Sequence, residues 1–246
     1  ADLTGVIFLN PMHGYGSSSE EKYLTADEYL SGNVREKLEW AKRSAEQYPE
    51  DYAAHVQALE RVQPVDLTAS EIAVRLGATW LPTEVIDQFI YELFGTSLRS
   101  RRMIRSHYSQ HTGAWNIENK FADRGNIKAE NTYGTTRVNG YKIIEETLNL
   151  RDLRIFDYVE DEHGNRVPVL NKKETAIAQG KQELIKQAFQ DWIWKDPARR
   201  ERLTRLYNDK FNSTRPREYD GSHLNFVGIN PEITLRPHQA NAIAHI

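Results

Sequence analysis

Residues 155–194 read IFDYVEDEHGNRVPVLNKKETAIAQGKQELIKQAFQDWIW, and a change of rhythm inside them sets the fold class. Ile155 to Glu160 and Arg166 to Leu170 have the length and the β-branched and aromatic content of strands, and Glu162-His163-Gly164-Asn165 supplies the turn. A β-hairpin is expected there. At Asn171, a good N-cap, the spacing becomes helical: Ile177, Leu184, Ile185, Ala188, Phe189 and Trp192 recur on one face up to about Trp194. Hairpin and long helix in one run predict an α+β fold, mainly helical with two β-hairpins or a small antiparallel sheet.

The second hairpin lies upstream. Arg102 to Gln110 and Ala114 to Lys120 alternate in polarity around Thr112-Gly113. Before it, Pro82 opens a helix over Thr83–Phe94 carrying Val85, Ile86, Phe89, Ile90 and Leu93, and Gly95 stops it. Ser70 to Leu76 fits helix or strand equally. The first third is helical: a capping box of Thr25 and Glu28 starts a short helix at Ala26, and Val34, Leu38, Ala41 and Ala45 mark one over 33–47. Tyr52, Val56 and Leu59 mark a third, ended by Pro64. Further helices are expected over Thr136–Leu148, from Pro197 to Phe211, and from Arg236 to the last residue, with irregular chain over 212–235. Val6 to Leu9 reads as a strand, followed by a Gly/Ser-rich loop from Gly14 to Ser19. The expected divisions are 1–24, the end of a preceding region with a loop; 25–154, a helical and basic-hairpin connector; 155–235, a hairpin with two long helices; and 236–246, the start of a further region.

A hydrophobic fraction of 39% in 246 residues suffices for the core of one large or two modest domains. There is no cysteine, so neither a disulfide framework nor a thiolate metal site exists. No apolar run approaches the roughly 18–20 residues needed to cross a bilayer, and the expected setting is cytoplasmic with no membrane partner. The net charge of −3 hides an asymmetry: residues 1–98 hold 7 Lys+Arg against 16 Asp+Glu, residues 99–154 hold 11 against 6, and residues 155–246 hold 14 against 13. The basic middle suits a polyanion, or a solvated face that docks on the acidic first third.

Complete catalytic motifs are missing. Gly180-Lys181 continues with Gln182 inside an expected helix, so it is no phosphate-binding loop, and Gly14-Tyr15-Gly16 falls short of a dinucleotide fingerprint. Asn10-Pro11-Met12-His13 resembles the tetrad with which adenine methylases hold a flipped base, but lacks its second proline and its stacking aromatic. His107 and His111 would meet one metal on a helix; on the expected strand they stand about 13 Å apart. No catalytic residue and no metal ligand is assigned.

The candidate binding element is the basic run Arg99, Arg101, Arg102 and Arg105, with Tyr108 and Trp115 on the hairpin and Lys120, Arg124 and Lys128 after it. Cations interleaved with aromatics suit a nucleic-acid groove, where charge tracks phosphates and rings stack on unpaired bases. The alternative is a hairpin whose aromatics face a core.

Four segments together resemble one family: Tyr23 to Leu38 (YLTADEYLSGNVREKL), Val74 to Pro82 (VRLGATWLP), Tyr219 to Leu224 (YDGSHL) and Leu235 to Gln239 (LRPHQ). They are similar to the very large methylase–helicase polypeptides of plasmids, integrative elements and phages, related to phage antirestriction proteins. These join an adenine-specific DNA methylase to a Swi/Snf-type, superfamily-two helicase. The resemblance spans nearly the whole chain and implies a connector between the two catalytic parts, with residues 236–246 as the truncated start of the helicase motor. It implies DNA and the adjoining methylase and helicase regions as partners. Gln239 is implied to read the adenine edge of ATP as part of an incomplete site, a role that a carboxamide can fill. No cofactor is expected for this stretch itself; ATP, magnesium and S-adenosylmethionine are implied for the longer polypeptide. The function expected is non-catalytic DNA engagement or positioning, with an interdomain or partner-docking scaffold as the alternative.

Overall fold

In the computed structural model, residues 7–10, 22–218 and 235–244 are described. In chain order the elements are β1 (Ile7–Leu9), β2 (Tyr23–Thr25), α1 (Ala26–Tyr29), β3 (Gly32–Asn33), α2 (Val34–Gln47), α3 (Pro49–Arg61), α4 (Thr83–Phe94), α5 (Leu98–Arg101), β4 (Arg105–Ser109) and β5 (Ala114–Glu118). A 3-10 turn (Lys120–Asp123) and a π-turn (Lys128–Thr132) follow, then α6 (Gly140–Leu148), β6 (Phe156–Glu160), β7 (Arg166–Leu170), α7 (Lys172–Ile193), α8 (Pro197–Phe211), β8 (Thr214–Arg215) and α9 (Pro237–Ala244). Helices joined to two-stranded antiparallel sheets make this an α+β fold.

The chain divides into two units, Ala1–Leu67 with Leu206–Ile246, and Thr68–Arg205. The expected division after residue 154 therefore falls inside the second unit. Its physical reason is a polar join: the buried Gln182 side chain on α7 donates to Thr147 Oγ1 on α6 (3.1 Å) and to the Arg151 carbonyl (2.8 Å).

In the first unit, the N–H and hydroxyl of Thr25 both donate to the Glu28 carboxylate, which starts α1 as its sequence signals. α2 and α3 pack as an antiparallel pair, and the core gathers Phe8, Tyr29, Val34, Leu38, Ala41 and Leu59. On α3 Tyr52 and Leu59 are buried as expected, and His55 rather than Val56 is the buried residue between them. His55 is buried, with Val56 partly so, because the imidazole lies edge-on to both Phe8 and Tyr29 and shares a hydrogen bond with the Tyr29 hydroxyl (Nδ1 to oxygen, 3.1 Å). Within 212–235, expected to be irregular, Thr214–Arg215 pairs antiparallel with Gly32–Asn33. The Gly/Ser-rich loop, Asn10-Pro11-Met12-His13 beyond its first residue, and the Tyr219–Leu224 segment lie outside the described residues.

In the second unit, α4, α6 and α7 surround a core of Ile86, Phe89, Ile90, Ile143, Ile144, Ile185, Phe189 and Ile193. Phe89 and Phe189 meet edge to face with ring centres 5.1 Å apart. Asn171 caps α7 as expected, accepting from the Glu174 N–H (3.0 Å). Its inward face is turned relative to the apolar pattern: Thr175, Ala178, Gln182, Ile185 and Phe189 are buried, while Ile177 and Leu184 are exposed. Polar Thr175 is accommodated because its hydroxyl accepts the Ile155 N–H (2.9 Å). The β6–β7 hairpin forms where expected, with Val159 opposite Val167, and its strands are largely exposed. Ser70–Leu76 forms turns and coil rather than either regular element.

Burial lowers the His55 pKa, and Asp51 opposes this only partly. A histidine whose folded pKa lies below its unfolded one, about 6.5, is protonated more readily in the unfolded chain. Its stability contribution is thus complete above that value and is lost as the pH falls through the folded pKa. Hydrogen exchange in α2 and α3 is expected to speed up as the pH falls below about 6.5 beyond its intrinsic trend, and His55→Gln, which carries no charge, is expected to remove the excess.

Candidate nucleic-acid interface

The β4–β5 ribbon has two outer edges, and side chains of α4, α6 and the α6 C-cap Asn149 bond to both of them. On the β4 side, Asp87 of α4 accepts the Ser106 N–H (2.6 Å). On the β5 side, Glu145 of α6 accepts the Ile117 N–H (2.9 Å), and the Asn149 carboxamide accepts from the Trp115 N–H (2.9 Å) and donates to the Trp115 carbonyl (2.8 Å). At Ser106, Trp115 and Ile117 these groups take the place of a neighbouring strand.

That arrangement decides which face turns inward. Ser106 and Ile117 are opposite one another, as are Tyr108 and Trp115, and with Ile104 they form the buried side. Trp115 is only 4% exposed and its ring packs on Tyr108 at 5.1 Å. Its Nε1 has no hydrogen-bond partner among the described residues. The expected stacking platform of Tyr108 and Trp115 is corrected accordingly: the alternation places both rings against the core, leaving Tyr108 half-buried and Trp115 unavailable to a base.

The basic run divides too. Arg101 donates to the Thr96 carbonyl (2.8 Å) and lies over the Tyr91 ring. Arg105 contacts the Tyr91 hydroxyl and the Arg101 carbonyl, with Asp87 Oδ2 at 3.9 Å. Both line a cavity of about 380 Å³ whose walls also carry Glu84, Asp87 and Glu92, so carboxylates offset their charge. Burial, the largest influence on Asp87, holds its carboxyl above the ordinary aspartate value despite the Ser106 N–H and Arg105. Lys120 is bound to Glu145 Oε2 (2.5 Å). On Glu145 the largest influence is again burial, which raises the carboxyl. The Ile117 N–H, Lys120 and Lys142 together outweigh it, and the group sits below its ordinary value.

The remaining members, Arg99, Arg102, Arg124 and Lys128, are exposed. They occupy two segments that are tied together: the Ser100 hydroxyl donates to the Ala122 carbonyl (3.0 Å), Asn119 to the Met103 carbonyl (2.9 Å) and Asn126 to the Phe94 carbonyl (3.1 Å). The chain reverses at Asn119, in the left-handed region at φ 52°, which asparagine tolerates. Of the nearby acids, Asp123 is engaged by Asn126 and Tyr141, Glu130 accepts the Gly125 N–H, and Glu118 is exposed on β5.

Sequence reading missed the aromatic on this surface. Phe121 is 76% exposed, and Leu98 (78%), Ile127 (72%) and Met103 stand exposed on the same two segments. The signal was faint: one phenylalanine in a polar stretch between a hairpin and a glycine. Gln239 lies on α9, where its side-chain oxygen accepts the Arg236 N–H (2.9 Å) and so caps that helix. Among the described residues no group of three or more His, Cys, Asp or Glu is placed to hold a metal, and no helix is long and apolar enough to cross a membrane.

One family model, described as Domain of unknown function (DUF8437), matches residues 75–213. No curated protein and no solved structure matches the chain. The matched span includes the closed ribbon and every residue of the exposed basic surface, and stops short of Gln239.

Removing Glu145 leaves Lys120 and the Ile117 N–H facing a buried gap. Glu145→Ala is expected to cost roughly 3 kcal/mol in urea unfolding. Glu145→Gln, which keeps an acceptor, is expected to cost less. Because the folded carboxyl sits below its unfolded value, its contribution is complete above about pH 4.5 and is lost as the pH falls through the folded value.

Proposed function

We propose that this chain, which belongs to the DUF8437 family, is a non-catalytic domain that engages or positions DNA through the surface formed by residues 98–103 and 119–128. The observation that carries this reading is Phe121: an exposed ring on a segment tied to four exposed cations, Arg99, Arg102, Arg124 and Lys128. Cations supply sequence-independent phosphate affinity by releasing counterions, and an exposed aromatic face stacks on an unpaired base. An unpaired strand fits better than a duplex, whose bases are already stacked.

The similarity to methylase–helicase polypeptides of mobile elements supports the same reading. We infer a longer cytoplasmic polypeptide in which this domain lies between an S-adenosylmethionine-dependent adenine methylase and an ATP- and magnesium-dependent helicase, with antirestriction as the setting. Within it, Gln239 belongs to the helicase nucleotide site. A second reading, an interdomain or partner-docking scaffold, is favoured by Leu98, Met103 and Ile127, which add apolar area to the same surface.

Fluorescence anisotropy with labelled single-stranded and duplex DNA between about 50 and 200 mM salt separates the two readings. The DNA reading predicts salt-dependent binding. Arg99→Glu with Arg102→Glu should lower the single-strand salt slope by about 1.4, at about 0.7 per lost phosphate contact. Phe121→Ala should weaken single-strand binding by roughly 1–3 kcal/mol and duplex binding far less. Absence of binding at the lowest salt would exclude direct contact and leave the scaffold.

A further inference from the structure

A second concave site in the Thr68–Arg205 unit has a different chemistry. A cavity of about 290 Å³ is lined by Arg75 and Leu76, by Leu150, Arg151 and Asp152 after α6, and by Lys186 and Gln190 of α7. Three cations face one carboxylate. Lys186 shares its charge with Glu183 (2.6 Å), but the Arg75 and Arg151 side chains have no hydrogen-bond or ionic partner among the described residues. Both arginines are exposed.

The backbone is specialised to bring them together. Gly77 sits at φ +101°, and a Cβ there would lie 2.5 Å from the Leu148 carbonyl oxygen, so only glycine lets the Arg75 segment close onto the end of α6. α6 ends with the Arg151 N–H donating to the Glu146 carbonyl (2.9 Å) and the Leu150 N–H to the Thr147 carbonyl (3.0 Å). This turn places Leu150, not glycine, in the left-handed region at φ 57°. The floor is fixed by side-chain amides: Gln182 holds the Arg151 carbonyl (2.8 Å) and Gln190 the Val74 carbonyl (2.6 Å). Arg75 and Arg151 thus line one cavity, and among the described residues neither side chain has a hydrogen-bond or ionic partner within it.

We propose that it binds a phosphomonoester, carried by a free nucleotide or by the phosphorylated end of a nucleic-acid strand. Guanidinium forks match phosphate oxygens in pairs, and the double negative charge of a phosphomonoester balances Arg75 and Arg151. Asp152 offers an acceptor to a sugar hydroxyl. A cavity near the lower limit for small-molecule sites, roughly 300 Å³, receives an end group, whereas a continuous backbone needs an open groove. None of these residues belongs to the Phe121 surface, so the two assignments stand or fall separately.

Isothermal titration calorimetry on the whole chain tests this with deoxyadenosine 5′-monophosphate, inorganic phosphate and deoxyadenosine. The two phosphates are expected to bind and the nucleoside not to. Arg75→Ala with Arg151→Ala should weaken binding at least about tenfold, as expected for lost charge-assisted hydrogen bonds, with an unchanged circular dichroism spectrum. Arg99→Glu with Arg102→Glu should leave it unaltered. A 5′-phosphorylated oligonucleotide that outbinds its 5′-hydroxyl twin assigns the strand end; equal binding of the twins, with the mononucleotide still bound, assigns the free nucleotide. Phosphate binding that is absent, or indifferent to the arginine pair, overturns the proposal.

Discussion

The second unit is organised by the closure of a two-stranded ribbon with carboxylates instead of further strands. Asp87 and Glu145 reach from α4 and α6 to the N–H groups of Ser106 and Ile117, and Asn149 pairs with the backbone of Trp115 on both its N–H and its carbonyl. A bare hairpin is marginal in water. Here each edge is anchored to a helix that is itself buried on its other side, and a register slip would leave the carboxylates without donors. The inward position of Trp115 and Ile117 follows from that anchoring.

The same contacts sort the cations. Lys120 is drawn to Glu145, and Arg105 lies beside Asp87, so two of the arginines and one lysine of the basic run serve the fold. With its strand end held, the chain turns back at Asn119 and carries Phe121, Arg124 and Lys128 onto the segment of Arg99 and Arg102. The resulting surface mixes charge with exposed apolar groups, a composition that packing within the unit does not explain.

Most of the fold was legible because its signals are local. The caps at Thr25 and Asn171, the stop at Gly95, the alternation of the β4–β5 hairpin and the turn of the β6–β7 hairpin depend on a few adjacent residues, and each appears where expected. What was not legible depends on partners distant in sequence. Nothing near Ile177 or Leu184 says that α7 turns them outward; Thr175 and Gln182 win the inward face through bonds to Ile155, Thr147 and Arg151. Likewise, the cations of the candidate site were visible as a run, but their division into fixed and free groups depends on Asp87 and Glu145. Those acids are 18 and 25 residues from Arg105 and Lys120 respectively. The grouping of Arg75, Arg151 and Lys186 around one cavity has no local signature at all.

We propose that nucleic acid meets the Phe121 surface and not the hairpin face that carries Tyr108 and Trp115. Mapping the amide resonances of the isotope-labelled chain during titration with a short single-stranded oligonucleotide tests it most directly. Shifts concentrated in residues 98–103 and 119–128, with Tyr108 and Trp115 unmoved, are expected. Shifts centred on Tyr108 and Trp115, or none at low salt, would contradict it.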